Sequence, residues 1–111
     1  MGDPPICDLV LLVEAYGVEN APEILHMVLD EPAFKILMEG GTDFPALALA
    51  AHSAKGVCLS VYLPAMLETT KLLERVCKER CQSKTMTPLD LVQLRLDWEN
   101  FKTYVGNLQQ I

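Results

Sequence analysis

The stretch from Phe44 to Leu67 reads FPALALAAHSAKGVCLSVYLPAML, and Lys55 is its one charged residue. Apolar side chains fall on every face that a helix over this stretch would have. A helix that is apolar all round is typical of a buried element with its neighbours packed about it. The flanking segments are amphipathic, as such neighbours should be. We therefore expect a helical bundle with residues 44–67 at its centre.

Cap residues, prolines and glycines divide the chain into separate helices. Asn20 is a good N-cap for a second helix, and Thr87-Pro88 gives a cap and a first helical residue for the last one. Gly56 predicts a kink within the central stretch. Pro64 predicts a kink or a fresh helix start, because proline has no N–H for a helix interior and its ring clashes with the preceding turn.

These patterns predict an all-α fold, a compact and irregular bundle of five or six helices that ends in a helical hairpin. The two arms of the hairpin are expected at about residues 65–81 and 88–108. A pair of stacked helical repeats from a larger solenoid is the alternative architecture. We expect one domain over residues 1–111, with a domain excised from a longer protein as the alternative, because the predicted last helix ends close to Ile111.

Charge is unevenly distributed along a chain whose net charge is −6. Residues 1–43 hold nine acidic side chains and one basic one, whereas residues 44–111 hold six acidic and eight basic ones. The acidic part either packs near the basic stretch 71–84 of its own chain or forms a face for a basic partner, and we favour the first interpretation. An acidic chain lacks the positive surface that nucleic-acid binding needs, so we expect no nucleic-acid partner.

The four cysteines are interpreted as free thiols of a reducing compartment. The chain opens with Asp3 and two prolines where a signal peptide would carry basic residues, so secretion is not indicated. The central stretch has the length of a membrane span, but it contains Lys55, His52 and two prolines. We expect an intracellular protein, in the cytoplasm or the nucleus, that does not enter a membrane.

The clearest pattern lies in the last helix, where six apolar residues are spaced 3, 4, 3, 4 and 3 apart. They are Leu91, Leu94, Trp98, Phe101, Val105 and Leu108. This is the spacing of a coiled-coil seam, and packing within the chain's own bundle gives the same spacing. A second stripe on another face, Leu89, Val92 and Leu96, means that the helix needs two neighbours. We predict that the six seam residues bind a partner helix or a second copy of the chain.

Residues with catalytic or metal-binding chemistry form no strong motif in this sequence. Cys77 and Cys81 lie on one helical face, but a structural zinc site usually has a second close pair. His52 adjoins Ser53, yet adjacent helical residues do not face each other. We therefore expect no catalytic residue, no metal and no cofactor. The predicted function is a non-enzymatic protein–protein interaction module, with a zinc-stabilised helical domain or a small ligand-binding protein near His52 and Tyr62 as alternatives.

Overall fold

The computed structural model describes residues 2–108, and all the regular secondary structure within that range is α-helical. The helices are α1 (Leu9–Tyr16), α2 (Ala21–Val28), α3 (Pro32–Glu39), α4 (Phe44–Ser60), α5 (Pro64–Ser83) and α6 (Val92–Leu108). The predicted all-α bundle is confirmed. Its principal dimensions are 47 × 31 × 21 Å, so the bundle is longer than it is wide.

Polar side chains and a glycine fix several of the helix ends. The side chains of Asp8 and Asp43 accept hydrogen bonds from the first turns of α1 and α4, and Gly17 ends α1 with a φ of 92°. Asn20 behaves differently, because its backbone is already helical. Its side-chain amide donates 2.9 Å to the carbonyl of Tyr16. Asn20 thus precedes the first residue of α2, as predicted, but its side chain makes no capping bond there and satisfies the C-terminus of α1 instead.

The central helix α4 departs from two predictions. It runs unbroken through Gly56, so the predicted kink is absent from this helix, and α5 begins afresh at Pro64 as expected. α4 is also not buried all round, since Leu49 and Leu59 are 72% and 54% exposed. The reason is that α3 and α5 cover only one side of α4, where its alanines allow close approach. Apolar composition on every face did not require a neighbour on every face.

The predicted hairpin of α5 and α6 is confirmed, with residues 84–91 as its connector. Ala65 at the start of α5 lines a cavity with Asn100 of α6, and Arg80 near the end of α5 lines one with Leu89 of the connector, so the two arms run antiparallel. α6 begins at Val92 rather than at residue 88, since the Asp90 carboxylate accepts the Val92 N–H. Leu91 packs the connector closely against Gly40. A Cβ at residue 40 would lie only 2.9 Å from the Cδ1 of Leu91, so this contact depends on glycine there.

The segment before α1 crosses the start of α5. The Ala65 N–H donates to the Pro5 carbonyl, and the Asp8 N–H donates to the Tyr62 carbonyl over 2.8 Å. We call residues 2–8, which precede α1, the lead-in. These two backbone bonds fix the lead-in against the link between α4 and α5. They bring Pro4 and its neighbours alongside the hairpin, where the lead-in becomes part of a cavity described below.

Candidate protein-interaction surface

Five of the six predicted seam residues form the core of the monomer itself. Leu91, Leu94, Trp98, Phe101 and Val105 are buried, while Leu108 at the end of α6 is half-buried. The Trp98 ring stacks on Phe34 of α3, with ring centroids 5.0 Å apart, and lies 5.8 Å from the Phe101 ring. A partner could reach the five buried residues only by displacing the chain's own helices. Their predicted partner-binding role is not supported by this burial, and the accessible apolar surface lies elsewhere.

The second stripe of α6 is the accessible one. Val92 and Leu96 are 72% and 53% exposed, and Leu72 of α5 joins them at 50% exposed. Leu89, the remaining member of that stripe, is buried. The need for a second neighbour is thus left unmet on one face of the hairpin in this monomer.

The exposed stripe lies in a furrow between the two arms of the hairpin. One wall comes from α5 and the other from α6 with the connector before it. The walls consist of Ala65, Thr69, Leu72, Val76 and Arg80 on one side and Leu89, Val92, Gln93, Leu96 and Asn100 on the other. We call this set the α5–α6 furrow. The cavity beside Asp97 measures about 400 Å³ and the one towards the connector about 380 Å³, and Gln93 lines both. A third hollow of about 480 Å³ beside Thr69 and Leu72 is lined by α5 alone, with Lys71 and Arg75 among its residues. Each volume is in the range of ordinary binding pockets.

Asp97 is a buried carboxylate at one end of the furrow. It is 8% exposed. One carboxylate oxygen accepts a 2.5 Å hydrogen bond from the Thr69 hydroxyl, and the other accepts a 2.8 Å bond from the Gln93 side-chain amide. Both donors are neutral. The cavity beside Asp97 is also lined by Asp3 and Glu68, and none of its lining residues is basic.

Glu74 is a second buried carboxylate, on the opposite side of α5. It accepts bonds from Lys55 over 2.5 Å and from His52 over 2.8 Å, and it forms an ion pair with Lys78 at 3.4 Å. Hydrogen bonding from the Lys55 ammonium is the largest influence, and with it the pKa of Glu74 is lowered to about 2. The cluster ties α4 to α5, and it gives His52 a hydrogen-bonding partner.

Among residues 2–108, no ion pair joins the acidic residues of the N-terminal part to the basic stretch 71–84. Lys71 and Lys78 in that stretch form their ion pairs with Glu68 and Glu74 of the same helix. Arg80 lies over the ring of Phe44, 5.8 Å from its centroid. We favoured the interpretation that the acidic residues pack near this basic stretch, and none of the ion pairs within residues 2–108 supports it. The acidic charge of residues 1–43 is left on the surface.

The cysteines are free thiols and do not form a metal centre with other described residues. Cys77 is buried and Cys81 is exposed. Among residues 2–108, no group of three or more His, Cys, Asp and Glu side chains is arranged to hold a metal ion. Burial raises the pKa of Cys58 to about 12 and that of Cys7 to about 11, so both thiols stay protonated at neutral pH.

Comparison with known proteins gives no further indication of function. The sequence matches no protein-family model, no curated protein and no solved structure. None of the helices within residues 2–108 combines the length and apolar character needed to cross a membrane. Inference about function therefore rests on the surface of the hairpin.

Sequence reasoning found half of this surface. The stripe through Val92 and Leu96 was visible from its spacing, whereas Leu72 was hidden among the charged residues of α5. Asp97 was also missed, because a carboxylate beside a tryptophan in an amphipathic helix is ordinarily solvated. Its one local signal is Gln93 four residues earlier, a spacing that brings the two side chains together on a helix.

Proposed function

We propose that this chain is a non-enzymatic protein–protein interaction module that docks an amphipathic helix of a partner protein in the α5–α6 furrow. The observation that carries the proposal is the exposure of Leu72, Val92 and Leu96 in one concave surface between two long helices. Single exposed apolar residues are ordinary on a protein surface, whereas a contiguous apolar patch in a groove is typical of a binding surface.

A helix is the occupant that fits the furrow best in shape. The α5 wall from Ala65 to Arg80 is roughly 22 Å long at 1.5 Å per residue, which matches a partner helix of about four turns. Helix-in-groove recognition uses apolar anchors at i, i+3 or i+4, and i+7. Leu72 lies near the middle of the wall, so the anchors of a docked helix have apolar contacts along the centre of the furrow.

Charge favours a different protein over a second copy of this chain. Each copy carries a net charge of −6, and the charged residues that line the Asp97 end of the furrow are carboxylates, of which Glu68 is paired with Lys71. Basic residues line the other cavities, namely Lys71, Arg75 and Arg80. Two chains of this net charge repel each other as wholes, whereas a basic partner is attracted and steered towards the Asp97 end. The surface acidity of residues 1–43 adds to this attraction. A homodimer is the competing outcome of the test below.

The proposed setting is intracellular, in the cytoplasm or the nucleus. The four free cysteines support this, because thiols in secreted proteins are usually paired. Nucleic acid is not the proposed partner, since it would be repelled by an acidic surface. The proposal also includes no catalytic role, as the buried carboxylates are engaged in the bonds described above.

The proposal is tested by comparing two double variants as bait in a reducing extract of the cells that make this protein. Leu72→Ser with Leu96→Ser removes the furrow anchors, and Leu49→Ser with Leu59→Ser removes two exposed leucines of α4 as the matched control. We expect a direct partner that binds the wild type and the control and is lost with the furrow variant. Binding that survives the furrow variant contradicts the proposal.

Light scattering over a wide concentration range checks the competing occupant. We expect the mass of a monomer. A dimer that the furrow variant dissociates, and that the α4 control leaves intact, would replace the proposed partner helix with a second copy of the chain.

A further inference from the structure

The cavity at the Asp97 end of the furrow has a composition that points to a particular side chain. Pro4 and Ile6 of the lead-in, Ala65 of α5 and Leu96 of α6 give it an apolar lining. Its charged lining residues are Asp3, Glu68 and Asp97, all of them acidic. The cavity measures about 400 Å³ and opens into the rest of the furrow through Thr69 and Gln93. A cavity lined by both apolar and acidic residues suits a side chain with an aliphatic stem and a cationic end group.

Asp97 is the residue for which a cationic neighbour would matter most. A buried carboxylate loses much of its hydration, and neutral hydrogen bonds replace only part of it. The Thr69 hydroxyl and the Gln93 amide each supply one such bond. No Lys, Arg or His lies among the residues that line the cavity. The ion pairs found within residues 2–108 do not include Asp97, although one of them joins Glu68 at the rim of the cavity to Lys71.

Glu74, at the contact of α4 and α5, shows that this fold can pair a buried carboxylate with cationic side chains. Three cationic or potentially cationic side chains, Lys55, His52 and Lys78, converge on it from α4 and α5. Asp97 is buried to a similar degree but has neutral partners only. The difference leaves the Asp97 cavity complementary to a positive charge from outside the chain.

We propose that this cavity receives one arginine side chain of the partner helix. The inference rests on the proposed function, since the arginine belongs to the helix that the furrow docks. The guanidinium group bonds to Asp97, with Glu68 and Asp3 at the rim, while its methylene stem lies against Ile6 and Leu96. Arginine is favoured over lysine because its five N–H donors in a planar fork can serve more than one carboxylate.

The position of the cavity also sets where the arginine lies in the partner. Thr69 and Ala65, which border the cavity, precede Leu72 by one and two turns of α5, or roughly 5 and 10 Å along the furrow. The arginine is therefore one to two turns away from the apolar anchor that contacts Leu72. This spacing gives a sequence pattern by which a partner helix is recognised.

A small cation tests the cavity without any partner. Amide spectra of the ¹⁵N-labelled chain are recorded during titration with n-butylguanidinium and with its neutral analogue n-butylurea. We expect saturable shifts of Leu96, Asp97 and the Gln93 side-chain amide with the cation alone. The shifts should vanish in Asp97→Asn and persist in Glu99→Gln, which removes an exposed charge two residues along α6. Equal shifts with butylurea, or shifts unchanged in Asp97→Asn, overturn the proposal.

Two synthetic helices then test whether the cation comes from a docked partner. They share leucine anchors at i, i+4 and i+7. They differ in one residue, two helical turns beyond the last leucine, which is arginine in one peptide and citrulline in the other. Fluorescence anisotropy should show binding about tenfold tighter for the arginine peptide. Asp97→Asn should abolish this difference. Butylguanidinium binding with no preference for the arginine peptide overturns the assignment to a partner side chain and leaves a small-cation pocket.

Failure of the inference and failure of the proposed function have different signatures. Leu72→Ser should weaken both peptides and leave butylguanidinium binding unchanged, because Leu72 does not line the Asp97 cavity. Peptides that bind equally well with arginine or citrulline refute the arginine pocket and keep the docking furrow. Cation binding with neither peptide bound refutes the furrow. If Asp97→Asn does not fold, Glu68→Gln combined with Asp3→Asn at the exposed rim should still weaken the arginine peptide.

Discussion

The hairpin of α5 and α6 has two faces of similar composition, which differ in how far their apolar and charged side chains are covered and paired. Each face has an apolar stripe and one buried carboxylate. On the inner face the stripe, which includes Phe101, is fully covered, and Glu74 is bonded by cations. On the furrow face the stripe through Leu72 and Leu96 is exposed, and Asp97 has neutral partners. Within residues 2–108 the inner face is covered, whereas the furrow face leaves its apolar stripe exposed and its carboxylate without a cationic partner.

The comparison shows how a core and a binding surface can be told apart when their sequence patterns agree. Apolar spacing of 3 and 4 residues occurs on both faces of α6, so it indicates a neighbour without saying which molecule provides it. The buried charges carry the missing information. A carboxylate paired by its own chain marks a completed contact, and a carboxylate with neutral partners beside an open apolar groove marks an incomplete one.

The largest expected effect compares truncations on the two faces of α6. Phe101→Ala on the inner face should lower the free energy of unfolding by about 4 kcal/mol, because it leaves a cavity in the core. Leu96→Ala on the furrow face should change it by less than about 1 kcal/mol, since Leu96 is already half exposed. Urea unfolding at neutral pH measures both. Similar losses for the two variants would mean that the faces are equally packed.

The next effect concerns the paired carboxylate. Glu74→Gln should cost about 2 kcal/mol, because charge-assisted hydrogen bonds are lost and the half-buried Lys55 loses its partner. Glu79→Gln, an exposed change of the same charge one turn on, serves as the control and should cost less than about 0.5 kcal/mol. Equal urea midpoints for Glu74→Gln and wild type would show that the cluster does not stabilise the α4–α5 contact.

Acid should remove the contribution of Glu74. Its pKa is lowered in the folded chain from 4.5 to about 2, so below pH 4.5 the unfolded state binds more protons than the folded state. The stabilisation is fully present above pH 4.5 and is lost as the pH falls towards 2. Measured by urea unfolding, the gap between wild type and Glu74→Gln should narrow across this window. A gap that stays constant down to pH 2 would contradict the pairing.

The smallest expected effect on stability belongs to Asp97. Asp97→Asn should change the free energy of unfolding by less than about 1 kcal/mol, because the amide keeps the shape and one acceptor while removing an uncompensated buried charge. Thermal and urea unfolding compare it with Glu74→Gln. A loss as large as that of Glu74→Gln would mean that Asp97 is a structural residue of the monomer and would remove the contrast between the two faces.

Local features of the fold could be predicted from the sequence, and non-local ones could not. The hairpin arms, the cap at Asp43 and the fresh start at Pro64 depend on residues within one or two turns. The exposure of Leu49 and Leu59 depends on where α3 and α5 lie, which the composition of α4 does not specify. The kink predicted at Gly56 did not form, because a single glycine weakens a helix without breaking it.

The candidate site was harder to predict, because its key contacts join distant residues. Thr69 and Asp97 are 28 residues apart, and Lys55 and Glu74 are 19 residues apart. Sequence spacing identified Trp98 and Phe101 as important apolar residues and could not decide between core and partner. The stripe through Val92 was recognised as a sign of a second neighbour, and the structure shows that this neighbour is not supplied by residues 2–108.

Site-specific photo-crosslinking in the cells that make this protein is the most direct test. A photoreactive phenylalanine replaces Leu72 in the furrow or, as a control of similar exposure, Leu59 on α4. Docking of a basic helix in the furrow predicts a crosslinked protein at position 72 and not at 59, with the crosslink mapped to a basic amphipathic helix and reduced by Asp97→Asn. The same crosslinks at both positions, or a crosslink at position 72 only to another copy of this chain, would contradict it.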